Sequence, residues 1–138
     1  MAYEESLRSI TLNADATLAQ YTGVPGQPGS ASPNGGKQYH FVKVTGAHQV
    51  GLADADDTGV IGVVQNKPQV TGGAATVGIR GVSKVVADKA IDAGEKVFVS
   101  ADGQATDATG GGGLCVGVAV SSVANAGELI SVLLLIQL

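Results

Sequence analysis

The chain has 138 residues, enough for one domain with a single core. Its net charge of −4 argues against a nucleic-acid-binding protein, and its single cysteine excludes a disulfide scaffold and a cysteine-based zinc site. Charged residues make up only 14% of the chain, where about 25% is typical, so part of the surface is expected to be buried against other copies or a larger partner. The alternative is a surface built from Ser, Thr, Asn, Gln and Gly.

Residues 1–22 predict an N-terminal arm that contains one short strand. Ile10 and Leu12 alternate with polar residues, which places their side chains on one side of an extended segment. The first residues are acidic and lack an apolar h-region, so we recognise no secretory signal and expect cytoplasmic synthesis. A single short strand cannot fold alone, so the arm is expected to pack on the rest of the chain or on a neighbouring molecule.

Residues 23–36 predict a loop or flexible linker. This segment contains five glycines and three of the four prolines, a content that neither a helix nor a central strand tolerates. The sequence is therefore divided into an arm (1–22), a linker (23–36) and a body (37–138).

The body predicts short strands separated by turn signals. Most of these segments are rich in Val and Ile, which suit a half-buried pleated surface. The only helix-like stretch, residues 88–93, allows one turn at most. The longest apolar run is far too short to cross a bilayer, so no membrane partner is expected. The predicted fold is all-β, a small barrel or sandwich. The predicted strands are 39–45, 60–65, 76–80, 82–87, 96–100, 114–120 and 129–136.

The body also carries a weak internal repeat. When residues 42–83 are shifted by 55 positions without gaps, eight identities appear, among them Gly62 with Gly117 and Val77 with Val132. The repeat predicts two similar β units. Composition bias in a Gly- and Val-rich chain is the alternative explanation.

No group of residues predicts catalysis or cofactor binding. The acidic segment 54–59 follows part of a calcium-loop pattern, but Gln65 stands where a bidentate Glu belongs, which favours a solvated turn. His40 and His48 lack a nearby nucleophile motif, and Cys115 lies in an apolar segment typical of a core residue. We therefore expect no enzyme activity, no metal site and no cofactor.

The order of short motifs along the body resembles the capsid decoration, or cement, proteins of tailed bacteriophages. Each motif alone is rich in Gly and Val, so the order carries the resemblance. The motifs are Asp-Thr-Gly-Val-Ile-Gly-Val-Val (57–64), Val-Gly-Ile-Arg-Gly-Val (77–82), Asp-Ala-Gly-Glu-Lys-Val-Phe-Val (92–99), Val-Gly-Val-Ala-Val (116–120) and Ala-Gly-Glu-Leu-Ile-Ser-Val (126–132).

The resemblance implies a β-barrel-like or β-tulip-like body without catalytic activity. It also implies homotrimers on the outer capsid surface of the virion, bound to the major capsid protein at three-fold and quasi-three-fold positions of the expanded head. The arm is the candidate capsid-facing part, because an extended segment can add a strand to an exposed sheet edge. Its candidate capsid-binding residues are Leu7, Ile10 and Leu12.

Two other functions stay open at this point. One is another structural virion component, such as a piece of the tail, baseplate or fibre, which copy number distinguishes from a decoration protein. The other is a small β-barrel ligand-binding domain or enzyme, which requires polar groups clustered in a pocket.

Overall fold

The computed structural model describes residues 5–21, 37–110 and 113–136, together with Ala2 and Gln27. All regular structure in these residues is β, which confirms the all-β fold class. The expected helical turn at residues 88–93 is wrong, because Ala87 just before this segment and Ile91 within it form β-bridges. The strands are β1 (Glu5–Ala14), β2 (Phe41–Gly46), β3 (Gln49–Leu52), β4 (Val60–Val64), β5 (Ala74–Val86), β6 (Lys96–Val99), β7 (Ala105–Thr106), β8 (Gly117–Ala119) and β9 (Leu129–Leu134).

The strands form one sheet that curls on itself. Their order is β1-β3-β2-β4-β5-β9-β8-β6-β7, and an additional pairing between β1 and β5 closes the first five strands into a ring. In this pairing Ile10 lies opposite Val77. A bridge between Ala87 and Ala105 brings the end of β5 beside β7, so the other strands form a second, partial ring.

Strand β5 belongs to both rings. The sequence predicted two strands here, 76–80 and 82–87, whereas the structure has one strand of 13 residues. Gly81 stands between the two halves with a φ of 103°, in the region that favours glycine. The residues before Gly81 pair with β1 and β4, and the residues from Gly81 onward pair with β9.

The predicted 55-residue repeat is present in the strand pairing. Val42 pairs with Gly62 between β2 and β4, and 55 residues later Val97 pairs with Gly117 between β6 and β8. The pairings of β2 with β3 and of β4 with β5 recur in the same register in β6 with β7 and β8 with β9. Composition bias does not produce matching registers, so the chain contains two similar β units.

Strand β1 completes the first unit. Ala14 donates its N–H to the carbonyl of Gly73, and Ala87 donates its N–H to the carbonyl of Glu128. Because Gly73 and Glu128 are 55 residues apart, β1 takes the place in one unit that the second half of β5 takes in the other. The first unit therefore consists of β1–β4 and residues 74–80, and the second unit of residues 82–86 and β6–β9.

Each unit has its own buried cluster. The smaller cluster lies within the first unit and consists of Ala14, Leu18, Val42, Val50, Val64, Ala75 and Val77. The larger cluster fills the second unit and also receives Phe41, Ala53, Val60 and Val63 from the first unit. The first unit thus covers one side of the second unit and supplies part of its core.

The structure places the arm's strand on the body, one of the two locations that the sequence left open. Residues 23–36 lie outside the described residues except for Gln27. The division into arm, linker and body stays a prediction.

Candidate docking surfaces

The three candidate capsid-binding residues lie on β1 but do not form one patch. Leu7 packs against the larger cluster and Leu12 against the smaller one, so both contribute to the fold. Two register irregularities, one before and one after Arg8, separate Leu7 from the regular part of the strand. Ile10 is the most exposed of the three, at 41%.

Large exposed apolar side chains are concentrated at two places among the described residues. A scattered exposed Leu or Val needs no explanation, but a group on one face indicates a docking surface. Two lie at one end of the first unit and four on the outer side of the second unit. They are Ile10 and Val44, and then Val120, Leu129, Leu133 and Leu135.

The first place is the open end of the first unit. Ile10 pairs with Val77 and Val44 pairs with Val50, two members of the smaller cluster, so both side chains lie on the inner face of the ring. We group them with the partly buried Ile61 and Ile79, which pack on the same cluster, and name these four residues the first-unit mouth. Val44 is 56% exposed. The mouth is apolar and nothing in the described part of the chain covers it fully.

The corresponding end of the second unit is covered. The repeat matches the four mouth residues with Ser83, Val99, Val116 and Leu134, all of which are buried. Val99, the counterpart of Val44, is only 3% exposed. Phe41, Ala53, Val60 and Val63 of the first unit join these residues in the larger cluster. First-unit side chains therefore cover this end of the second unit, whereas the first-unit mouth is left open.

The second place is the outer side of the second unit. Val82 pairs with Leu133, and Leu133 pairs with Val118, so the three side chains form a row on one face. We name Val118, Val120, Leu129, Leu133 and Leu135 the second-unit wall. The cations Arg80, Lys84 and Lys96 occupy outward positions of neighbouring strands.

Part of the matching wall of the first unit is buried. Val63 of the first unit matches Val118 of the second, and Gly78 matches Leu133. Val63 is fully buried against the second unit. The side-chain amide of Gln65 donates to the Ser83 hydroxyl at 2.9 Å, which ties this wall to the second unit. Sequence reasoning missed both surfaces, because the same alternation of Val and Leu describes a covered wall and an uncovered one.

A groove lies between the two surfaces. It is lined by Ile79 and Arg80 from the middle of β5, just before Gly81, and by Leu134, Leu135 and Ile136 at and after the end of β9. One of its lining residues, Ile79, belongs to the mouth, and another, Leu135, belongs to the wall. The groove contains no group of polar side chains suited to catalysis.

The acidic segment 54–59 makes hydrogen bonds within its own turn. The Asp57 carboxylate accepts from the Asp54 N–H at 2.6 Å and contacts the Lys43 ammonium at 2.7 Å. Among residues 5–21, 37–110 and 113–136, no three His, Cys, Asp or Glu side chains are placed to hold a metal ion. Cys115, expected in the core, is only partly buried.

His40 is buried at the junction of the two units. Its Nδ1 lies 2.8 Å from the carbonyl oxygen of Gln38. Burial is the largest effect and lowers the pKa of His40 below 6.5; the Gln38 hydrogen bond opposes it, and the charges of Lys37, which lowers the pKa, and Asp102, which raises it, have smaller effects. The neutral imidazole therefore fits this position.

Asp107 organises the turn after β7. Its carboxylate accepts hydrogen bonds from the Thr109 hydroxyl at 2.6 Å and from the Thr109 N–H at 2.9 Å, and it contacts the Lys89 ammonium at 3.1 Å. The Thr109 hydroxyl first, and then Lys89, hold the pKa of Asp107 at about 2. This turn contributes structure rather than a reactive carboxyl group.

Comparison with known proteins decides the family. A family model described as phage cement protein matches residues 35–134. The chain belongs to the phage cement protein family. Its matched region includes β2–β9 and all of the second-unit wall except Leu135, while β1 with Ile10 lies before it.

The fold of this phage cement protein is also found in a solved structure. The crystal structure of the head fiber gp8.5 N base in bacteriophage phi29 matches with a TM-score of 0.50 and 17% identity, and the match covers 94% of each chain. Because the match covers nearly the whole chain, the shared fold extends over both units. Among curated proteins, none matches the sequence.

The cement family makes the chain a structural, capsid-associated component of a phage virion. No helix in the part of the chain that the structure describes is long and apolar enough to cross a membrane.

Proposed function

We propose that this phage cement protein decorates the outer surface of the expanded capsid and stabilises it without catalysing a reaction. It binds the major capsid protein at three-fold and quasi-three-fold positions as a homotrimer. The observation that carries the proposal is the family match over residues 35–134. Two uncovered apolar surfaces support it, because a protein that works by docking needs such surfaces.

The proposed mechanism is the addition of buried contact area across the joints between capsomers. Internal DNA pressure pulls these joints apart, and a protein that contacts both sides opposes their separation. Each contact need not be strong, because repetition over the lattice multiplies weak contacts through avidity.

The proposed contact with the shell includes the N-terminal strand. Leu7 and Leu12 fix this strand to the body by packing on the two clusters, and Ile10 presents an exposed apolar side chain between them. An extended β1 fixed in this way is a rigid contact element and loses little conformational entropy on binding.

Binding to purified heads tests the proposal. The protein is mixed with expanded heads and with unexpanded heads, and the amount that sediments with each is measured over a concentration series. We expect saturable binding to the expanded form alone. An Ile10→Asp variant should bind at least tenfold more weakly, whereas Thr58→Asp, which adds the same charge in an exposed turn, should bind like the parent. If the protein binds neither the expanded nor the unexpanded heads, the proposal is contradicted.

A second candidate function is the base of a head fibre. It is favoured by the fold that this chain shares, over 94% of its length, with a protein described as a head fibre base. A fibre base occupies only the positions that carry fibres, so its copy number separates this function from lattice-wide decoration.

A further inference from the structure

The repeat shows how one unit of this chain covers another. Phe41 and Val63, on the outer side of the first unit, pack on the mouth end of the second unit and are fully buried there, whereas Ala74 and Arg80, the counterparts of Leu129 and Leu135, are exposed. Val99 and Leu134 lie at that covered end, where they are only 3% and 4% exposed. In this contact, outer residues of the first unit pack on the mouth end of the second unit.

The two halves of the same contact are also left free on this molecule. The second unit has a wall that no third unit covers, and the first unit has a mouth on which no earlier unit packs. All six large exposed apolar side chains among the described residues fall on these two surfaces. Repeat proteins normally end in units with a polar outer face, because uncovered ends associate. This chain lacks such polar ends in its described part.

We propose that neighbouring copies of this chain associate head to tail, with the second-unit wall of one copy packed on the first-unit mouth of the next. The occupant of each surface is therefore a second copy, in the arrangement that the chain already uses between its own units. The inference rests on the proposed function for the homotrimer, which this contact would hold together.

The counterparts across the repeat support this arrangement. Val118 of the free wall matches Val63 of the buried wall, and the free wall adds Leu133 where the buried wall has Gly78. The free wall therefore offers at least as much apolar surface at these two positions as the wall that is already packed. On the mouth, Val44 matches the buried Val99 with an identical side chain.

A head-to-tail contact is heterologous, which means that the two surfaces in contact are different. Such a contact generates a closed ring when its rotation closes. In a ring every wall faces a mouth, so Val44 and the four exposed wall residues become buried, while Ile10, which the proposed function assigns to the shell, stays uncovered at the edge of the contact.

Oligomeric state in solution tests the proposal. We would measure the molar mass of the full chain by sedimentation equilibrium up to about 1 mM, which is comparable to the effective concentration of tethered neighbours. The expected mass rises above that of one chain as concentration increases. Val44→Asp in the mouth and Leu133→Asp in the wall should each keep the mass at that of one chain. Thr58→Asp is the control with the same added charge and should associate like the parent.

Mixing the two variants identifies the contact as head to tail. Val44→Asp retains a good wall and Leu133→Asp retains a good mouth, so an equimolar mixture should form dimers and stop there. Circular dichroism checks the fold of each variant, and Val120→Asp replaces Leu133→Asp if the latter unfolds.

A parent mass equal to one chain at every concentration overturns the proposal, as does a mixture in which both folded variants stay monomeric. The head-binding experiment is scored separately. Association in solution without binding to heads overturns the proposed function and leaves this inference standing. If the chain stays monomeric at every concentration but binds heads in a saturable way, the head-to-tail association is overturned and the proposed function stands.

Discussion

Two glycines show why particular residues are needed where strands come close together. A Cβ at Gly62 would overlap the carbonyl oxygen of Gly78, and a Cβ at Gly117 would overlap that of Leu133. In both places the glycine lies against the neighbouring strand, and the two positions match across the repeat. Glycine is required at these positions by space rather than by a positive φ.

We predict that Gly62→Ala and Gly117→Ala each lower the free energy of unfolding by about 1–3 kcal/mol, because the backbone has to shift to admit a methyl group. Urea unfolding followed by circular dichroism measures the change. Gly59→Ala is the control, since no atom lies within 4 Å of the Cβ it would add. Equal stability of all three variants would contradict the close approach.

Because His40 is buried, we expect the free energy of unfolding to depend on pH. Its pKa is lowered by burial, so the unfolded chain binds a proton at a higher pH than the folded chain does. Stability is therefore expected to fall as pH decreases below about 6.5, through the pKa of the folded state. His40→Asn should reduce this acid-side slope. Unfolding midpoints in urea between about pH 7.5 and about pH 5 provide the measurement, with His48→Asn as the exposed control. An unchanged slope in His40→Asn would show that other groups cause the dependence.

At the scale of elements, β1 has the largest consequence for the fold. It pairs with β5 along most of its length and closes the first ring, where it covers Ala75 and Val77. From the sequence alone, this strand was equally compatible with packing on a neighbour. Its role follows from long-range pairing, which alternation of apolar residues does not specify.

We predict that a chain beginning at residue 37 loses the cooperative fold of the first unit. Without β1 and Leu18, one side of the smaller cluster is open to water. Hydrogen exchange is expected to show loss of protection in β2–β4, measured against the full chain. Full protection in β2–β4 of the shortened chain would mean that the body folds independently of the arm.

The sequence allowed most strands to be predicted, and the exceptions have physical reasons. Strand β3 is short and contains Gly51, and β7 has only two residues, so neither produces a clear alternation. Gly81 divided β5 into two predicted strands because glycine usually ends one. The two docking surfaces were not predicted, since the exposure of Val118 and the burial of Val63 depend on what packs on each unit.

At the scale of the whole molecule, two similar units share one strand and bury one wall between them. The low charge found in the sequence agrees with this arrangement, because the two uncovered surfaces are apolar. A decoration protein that covers a lattice uses such surfaces many times, once for each copy. The central claim is therefore that the protein is present in large numbers on the capsid.

The most direct test is the copy number of this protein in purified virions, measured by quantitative peptide mass spectrometry relative to the major capsid protein. The account predicts a ratio near one to one, as lattice-wide decoration requires. A handful of copies per virion, or none, would contradict it.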